Sequence, residues 1–160
     1  MKNILFIIPF LMLGCSDEKS ESYPIFYNAN SPITINIENA PTWVQESTLE
    51  AVGFWAARNH AVSFTIDPNG KIPIGVKDGE QLPEEALGIY TFDGKIYLNS
   101  SLENNIGAKC VIAHELGHSI QMNHVSKSGG MMSVYASIWA DGRCMWNGAD
   151  TVEFNRVLAL

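Results

Sequence analysis

Basic residues are scarce in this chain of 160 residues, which has ten lysines and arginines against 17 aspartates and glutamates. The formal net charge is −7 at pH 7, and no basic run occurs anywhere. Because proteins bind nucleic acid through a positive surface, we expect no nucleic-acid partner. Hydrophobic residues make up 46% of the chain, which excludes disorder throughout and collagen-like structure. The length suits one domain.

Apolar runs long enough to cross a membrane are missing too. Residues 4–13 form an apolar run of ten residues, which rises about 15 Å as a helix against a bilayer core of about 30 Å. A short run behind the positive Lys2 is typical of an export signal. Residues 12–15 (MLGC) resemble the lipobox of bacterial lipoproteins, in which cleavage precedes a cysteine that is then acylated.

The lipobox resemblance implies a membrane anchor. Residues 1–14 would be the signal peptide, Cys15 the lipidated residue, 15–31 a polar tether and 32–160 the folded domain. The protein would then lie in the cell envelope, with the outer membrane or cell surface favoured because Ser16 rather than aspartate follows Cys15. The alternative is an ordinary secretory signal with a chance cysteine, which gives a secreted protein.

Cysteines are few, and their number agrees with export. Of the three, removing Cys15 leaves Cys110 and Cys144, an even number in an oxidising compartment. This predicts a disulfide between them, and the alternative is a pair of buried free thiols.

The periodicity of the chain predicts a domain that mixes helices and strands. Alternation of apolar and polar residues predicts a first strand, and helical spacing with Gly, Pro and Asp-Gly punctuation predicts the other elements. The predicted strands are 33–38, 62–66, 72–76 and a hairpin of 88–92 with 95–99, and the predicted helices are 42–59, 108–121 and 151–160. Asp150 stands where it would cap the last helix.

Three of the four histidines fall between positions 114 and 124. His114 and His118 are four residues apart, so their rings share a helix face at the separation that suits one zinc ion. A continuing helix would turn His124 about 240° away from His118, so the helix must end between about 121 and 123 for His124 to be a third ligand. Three histidines leave a fourth position for water, which is typical of a catalytic site, with Glu115 placed to act on that water. The alternative is a helix with two satisfied histidines and an unrelated histidine in a loop.

The run 114–124 resembles the zinc signature H-E-x-x-H-x-x-G-x-x-H of the metzincin metalloproteases. Residues 129–133 (GGMMS) resemble the Met-turn of that family, and Met132, eight residues after His124, has the spacing of its matrixin branch. The resemblance implies an α+β fold of zincin type, with a mixed twisted sheet, a long first helix, a zinc-binding helix, a Met-turn and a C-terminal helix.

The same resemblance implies a monomeric zinc endopeptidase that hydrolyses proteins or peptides outside the cytoplasm. Glu115 would be the general base, and Met132 would support the zinc site without binding the metal, although core filling is the alternative for this methionine. Residues Ser133, Val134 and Tyr135 would line the pocket for the residue after the cleaved bond. Two other functions remain open: a surface lipoprotein that uses the scaffold for binding with little or no proteolysis, and a peptidase of cell-wall peptides.

One departure from the family pattern concerns the end of the zinc helix. Gln121 stands where the family has a glycine, which ends the helix with a positive φ that is costly for a residue with a Cβ. Either Gln121 is strained or the break moves to Asn123, which tolerates the left-handed conformation. The long loops that hold further metals in animal matrixins are missing, so extra metals are not implied.

Overall fold

The computed structural model describes residues 31–58, 61–83, 85–125, 129–133 and 142–159. The predicted signal peptide, Cys15 and all but the last residue of the tether lie outside the described residues, and so do Val134 and Tyr135 of the predicted pocket.

Within these residues, a five-stranded mixed sheet forms one layer of the domain. Its strands are β1 (Ile33–Asn36), β2 (Phe64–Ile66), β3 (Ile72–Lys77), β4 (Gly88–Tyr90) and β5 (Ile96–Asn99), in the order β2-β1-β3-β5-β4. The pairs β1–β2, β1–β3 and β3–β5 are parallel, and only the β4–β5 pair of this sheet is antiparallel. In β1, Ile33 and Ile35 are buried while Thr34 and Asn36 are half-buried, so the alternation in the sequence separates the core face from the outer face.

The predicted hairpin is confirmed, with Gly88 opposite Leu98 and Tyr90 opposite Ile96. Its turn uses Gly94 at a φ of 77°, which explains the glycine there. Phe92, predicted as the last residue of the first strand, lies in the turn and is exposed.

The described residues contain three α-helices: α1 (Thr42–Ala56), α2 (Ala108–Ser119) and α3 (Gly148–Leu158). The first two pack on each other and on the sheet, and Phe154 of α3 contacts the ring of Trp55 in α1. The buried face of α1 lies against α2, and the indole N–H of Trp55 donates to the carbonyl of Ala113 over 3.1 Å. All residues of α2 except Lys109 are buried, so the helix that carries the histidine motif is itself part of the core. The architecture of the described part of the chain is thus α+β, with a mixed sheet and three α-helices.

The last helix begins earlier than predicted, and its cap is a different residue. Asn147, not Asp150, is the N-cap, and its side-chain oxygen accepts from the N–H groups of Ala149 and Asp150. Asp150 is the third helical residue and its carboxylate accepts from the Asn147 N–H over 2.8 Å, which completes a capping box. Within the described residues, no helix combines the length and the apolar character needed to cross a bilayer.

Candidate metal centre

The imidazole rings of His114, His118 and His124 converge on one point. Their Nε2 atoms lie 3.1 Å apart in all three pairs. His114 and His118 project from successive turns of α2, and His124 reaches them from the segment after the helix. The structure therefore brings together the three histidines that the sequence singled out as ligands, and they could hold a metal ion.

Two of the three rings are oriented by backbone carbonyls behind them. The Nδ1 atom of His114 lies 2.6 Å from the carbonyl oxygen of Met131, and that of His118 lies 2.9 Å from the carbonyl oxygen of Met122. Because a carbonyl oxygen only accepts, Nδ1 donates in each ring, and Nε2 of a neutral ring is left with its lone pair. Burial, together with the neighbouring imidazoles, lowers the pKa of His114 to about 4 and lowers that of His118 well below its usual value, so both rings are neutral.

This donor set fits a divalent metal ion with a preference for imidazole. Two lone pairs that face each other across 3.1 Å repel unless a cation lies between them. An ion with tetrahedral bonds of about 2.0–2.1 Å holds its nitrogen ligands about 3.3 Å apart, close to the separation here. Second nitrogens that donate to backbone carbonyls are also the usual way in which metal-binding histidines are held.

The helix ends at a strained residue, Gln121. Of the two alternatives that the sequence left open, strain at this residue rather than a later break at Asn123 is the one observed. Gln121 has a φ of 69°, its N–H donates to the carbonyl of His118, and the N–H of Met122 donates to that of Gly117. This pair of bonds is the Schellman arrangement, in which the left-handed residue is usually glycine. A side chain with a Cβ in that conformation costs roughly 1–2 kcal/mol. The turn directs the chain back so that His124 faces His118.

Glu115 lies between α2 and the edge strand β4. It is buried, and burial raises its pKa to about 8 although a hydrogen bond from the backbone of Tyr90 lowers it in part. Its Oε2 atom has no hydrogen-bond partner in the part of the chain that the structure describes. Gly88 makes room for this side chain, because a Cβ there would lie 3.2 Å from Oε1 of Glu115 and 2.7 Å from Val111. This oxygen, on the residue next to His114, is placed to take up and release a proton, and the raised pKa makes the ionised group a stronger base than an exposed glutamate.

The two methionines of the predicted Met-turn lie beneath α2. Met132 is fully buried, and a Cβ on Gly117 would come within 2.5 Å of its sulfur, so the glycine gives the helix room to pack on the methionine. The N–H of Val125, directly after the third histidine, donates to the carbonyl of Met132 over 2.7 Å. Ser133 is buried beside them, and its predicted role in the pocket stays a prediction.

Asp150 holds this turn from α3, a role that the sequence did not indicate. Its two carboxylate oxygens accept from the N–H groups of Met131 and Met132, each over 2.9 Å. Gly130 permits the approach, because a Cβ there would lie 2.6 Å from Oδ2 of Asp150. The sequence does carry a related signal, because Asn147 and Asp150 have the spacing of a capping box. That spacing assigns the N-cap to Asn147 rather than to Asp150.

Cys110 and Cys144 form a disulfide, with their Cα atoms 5.2 Å apart. The bond joins the first turn of α2 to the segment that leads into α3.

Comparison with known proteins adds no family assignment, since neither the scan against family models nor the search of curated proteins gives a match.

Proposed function

We propose that this chain is a zinc-dependent endopeptidase of metzincin type that acts outside the cytoplasm. The observation that carries the proposal is the convergence of three Nε2 atoms, backed by two carbonyls, next to a buried glutamate with an unpartnered oxygen. Imidazole ligands suit zinc, and three of them leave a position open for chemistry. A closed structural site would be expected to have four protein ligands.

In this proposal Glu115 moves the protons of peptide hydrolysis. Zinc, when bound, supplies Lewis acidity toward the scissile carbonyl and makes water a better nucleophile. Oε2 of Glu115 accepts a proton from the attacking water and passes it to the leaving amine. The hydrogen bond that Oε1 accepts from the Tyr90 backbone would hold the carboxyl group in place, while Oε2 stays available for the proton.

The edge of the sheet supports a peptide as the substrate. Strand β4 is one of the two outer strands of the sheet in the described residues, and Gly88 of this strand lies against Glu115. An outer strand can pair with an extended peptide through its outward backbone groups. The backbone N–H of Tyr90 already donates to Glu115, so such a peptide would pair with other groups of the strand. A peptide bound there would run past the glutamate. Ser133, Val134 and Tyr135 remain the proposed pocket.

The proposed setting is the cell envelope, with a lipid on Cys15 and the domain acting as a monomer. The disulfide between Cys110 and Cys144 supports an oxidising compartment. Substrates in that setting would be extracellular or envelope proteins and peptides.

Cleavage profiling on a peptide library tests the proposal. We expect hydrolysis that a chelator abolishes and zinc restores. Glu115→Gln should bind zinc as the parent does but cleave about 10²–10⁴-fold more slowly, because glutamine keeps the shape and cannot accept the proton. Glu50→Gln, an exposed glutamate of α1, is the matched control. Parent-like cleavage by Glu115→Gln would refute the mechanism, and zinc binding without any cleavage by the parent would favour a binding scaffold.

A further inference from the structure

Two charged side chains of α3 contact the backbone at the break after the zinc-motif helix. Nη2 of Arg156 donates to the carbonyl of Gln121 over 2.5 Å, and the N–H of Asn123 donates to Oε1 of Glu153 over 2.6 Å. The two side chains also pair with each other, with Nε and Nη2 of Arg156 donating to Glu153 over 2.9 and 2.7 Å. The backbone on both sides of Met122 is therefore held from outside the turn.

The segment 121–123 positions two of the three histidines. His118 is oriented by the carbonyl of Met122, and His124 follows Asn123 directly. A shift of the segment would move His124 and release the ring of His118 together. Its most strained residue is Gln121, with a φ of 69° that glycine would adopt without penalty.

The charged groups of Glu153 and Arg156 are both partly shielded from solvent. The side chain of Glu153 is 14% exposed and that of Arg156 is 40% exposed. Burial alone would raise the pKa of Glu153, but hydrogen bonds from Arg156 and from the backbone of Asn123 outweigh it and hold the pKa below its usual value. An exposed ion pair contributes little by itself. This one differs because both partners also bind backbone groups of the segment between two ligands.

We propose that Glu153 and Arg156 are positioning residues of the metal centre, which hold residues 121–123 in the conformation that delivers His124. They supply from α3 the stability that a glycine at position 121 would supply locally. The inference rests on the proposed metal site and is independent of whether the protein cleaves peptides.

Zinc affinity of the full domain, measured by competition with a chromophoric chelator, tests this proposal without any assay of cleavage. We expect Arg156→Ala to weaken zinc binding about 10–100-fold, the usual effect of removing a group that orients a ligand. Glu153→Gln should have a smaller effect, since its amide oxygen still accepts from Asn123, and it serves as the milder variant if Arg156→Ala folds poorly. Glu50→Gln breaks the ion pair with Lys109, which is 2.6 Å long and remote from the break, and should leave the affinity unchanged.

Rescue by glycine distinguishes positioning from general stabilisation. In a Gln121→Gly background, Arg156→Ala should lose less than about threefold in zinc affinity, because the turn no longer needs external support. Thermal unfolding of each variant by circular dichroism runs in parallel. A lower unfolding temperature with unchanged zinc affinity would overturn the proposal, and so would an equal loss of affinity in both backgrounds.

Discussion

Replacing Asp150 with asparagine is expected to destabilise the domain far more than the loss of one charge would suggest. The carboxylate is fully buried. Oδ1 accepts from the N–H of Met132, and Oδ2 accepts from the N–H groups of Met131 and Asn147, over 2.8–2.9 Å. One side chain thus closes the start of α3 and fixes the turn beneath the histidines.

The magnitude follows from counting donors. Asparagine offers one oxygen and one NH2 group in the same space, so at least one backbone N–H must face another donor whichever way the amide is turned. A buried N–H without a partner costs about 1–3 kcal/mol, and weakening the remaining charge-assisted bonds adds about 1 kcal/mol. The total of about 2–4 kcal/mol corresponds to a fall in unfolding temperature on the order of 10 °C for a domain of this size.

Thermal unfolding followed by circular dichroism measures this effect, with Asp93→Asn as the control. Asp93 is an exposed carboxylate that pairs with Lys95 in the hairpin turn, so its replacement should leave the unfolding temperature close to that of the parent. Because the carbonyl of Met131 orients His114, Asp150→Asn should also weaken zinc binding. If Asp150→Asn unfolds within about 2 °C of the parent, the donor count is not what stabilises this turn.

Three further predictions concern other parts of the chain. His124→Ala should reduce zinc affinity by more than the roughly 10–100-fold typical of losing a group that only orients a ligand, and unchanged affinity on equilibrium dialysis would rule out a three-histidine site. Thiol titration of the denatured exported protein should find Cys110 and Cys144 unreactive until they are reduced, and reduction should lower the free energy of unfolding by about 3–4 kcal/mol. Mass spectrometry of membrane-extracted protein should find Cys15 as an acylated N-terminus, and a soluble mature chain that starts elsewhere would contradict the lipobox prediction.

Patterns local in the sequence predicted the elements and most of the candidate site. The four-residue spacing of His114 and His118 is enough to put both rings on one helix face, and rotation about the helix axis is enough to require a break before His124. The Asp-Gly pair predicted the hairpin because few residues adopt a positive φ at no cost. These inferences need only neighbours along the chain.

Contacts between distant segments were beyond the reach of such patterns. Asp150 was assigned to helix capping, since its binding to the N–H groups of Met131 and Met132 depends on how α3 packs against the turn. The conflict at Gln121 was visible in the sequence, but the side chains that contact this break come 32 and 35 positions later in the chain. Local rules identify a strained residue, and only the packed structure shows which side chains support it.

The bond between Cys110 and Cys144 also makes the chain between them a closed covalent ring. The three histidines that could hold a metal ion and the neighbouring glutamate all lie inside this ring, namely His114, His118, His124 and Glu115. One cut in the backbone between the two cysteines would therefore leave both fragments joined through sulfur. Such nicked protein would migrate as a single species in electrophoresis and separate into two only after reduction. A domain built this way keeps these side chains tethered after one proteolytic event, and their separation requires a second cut or a reductant.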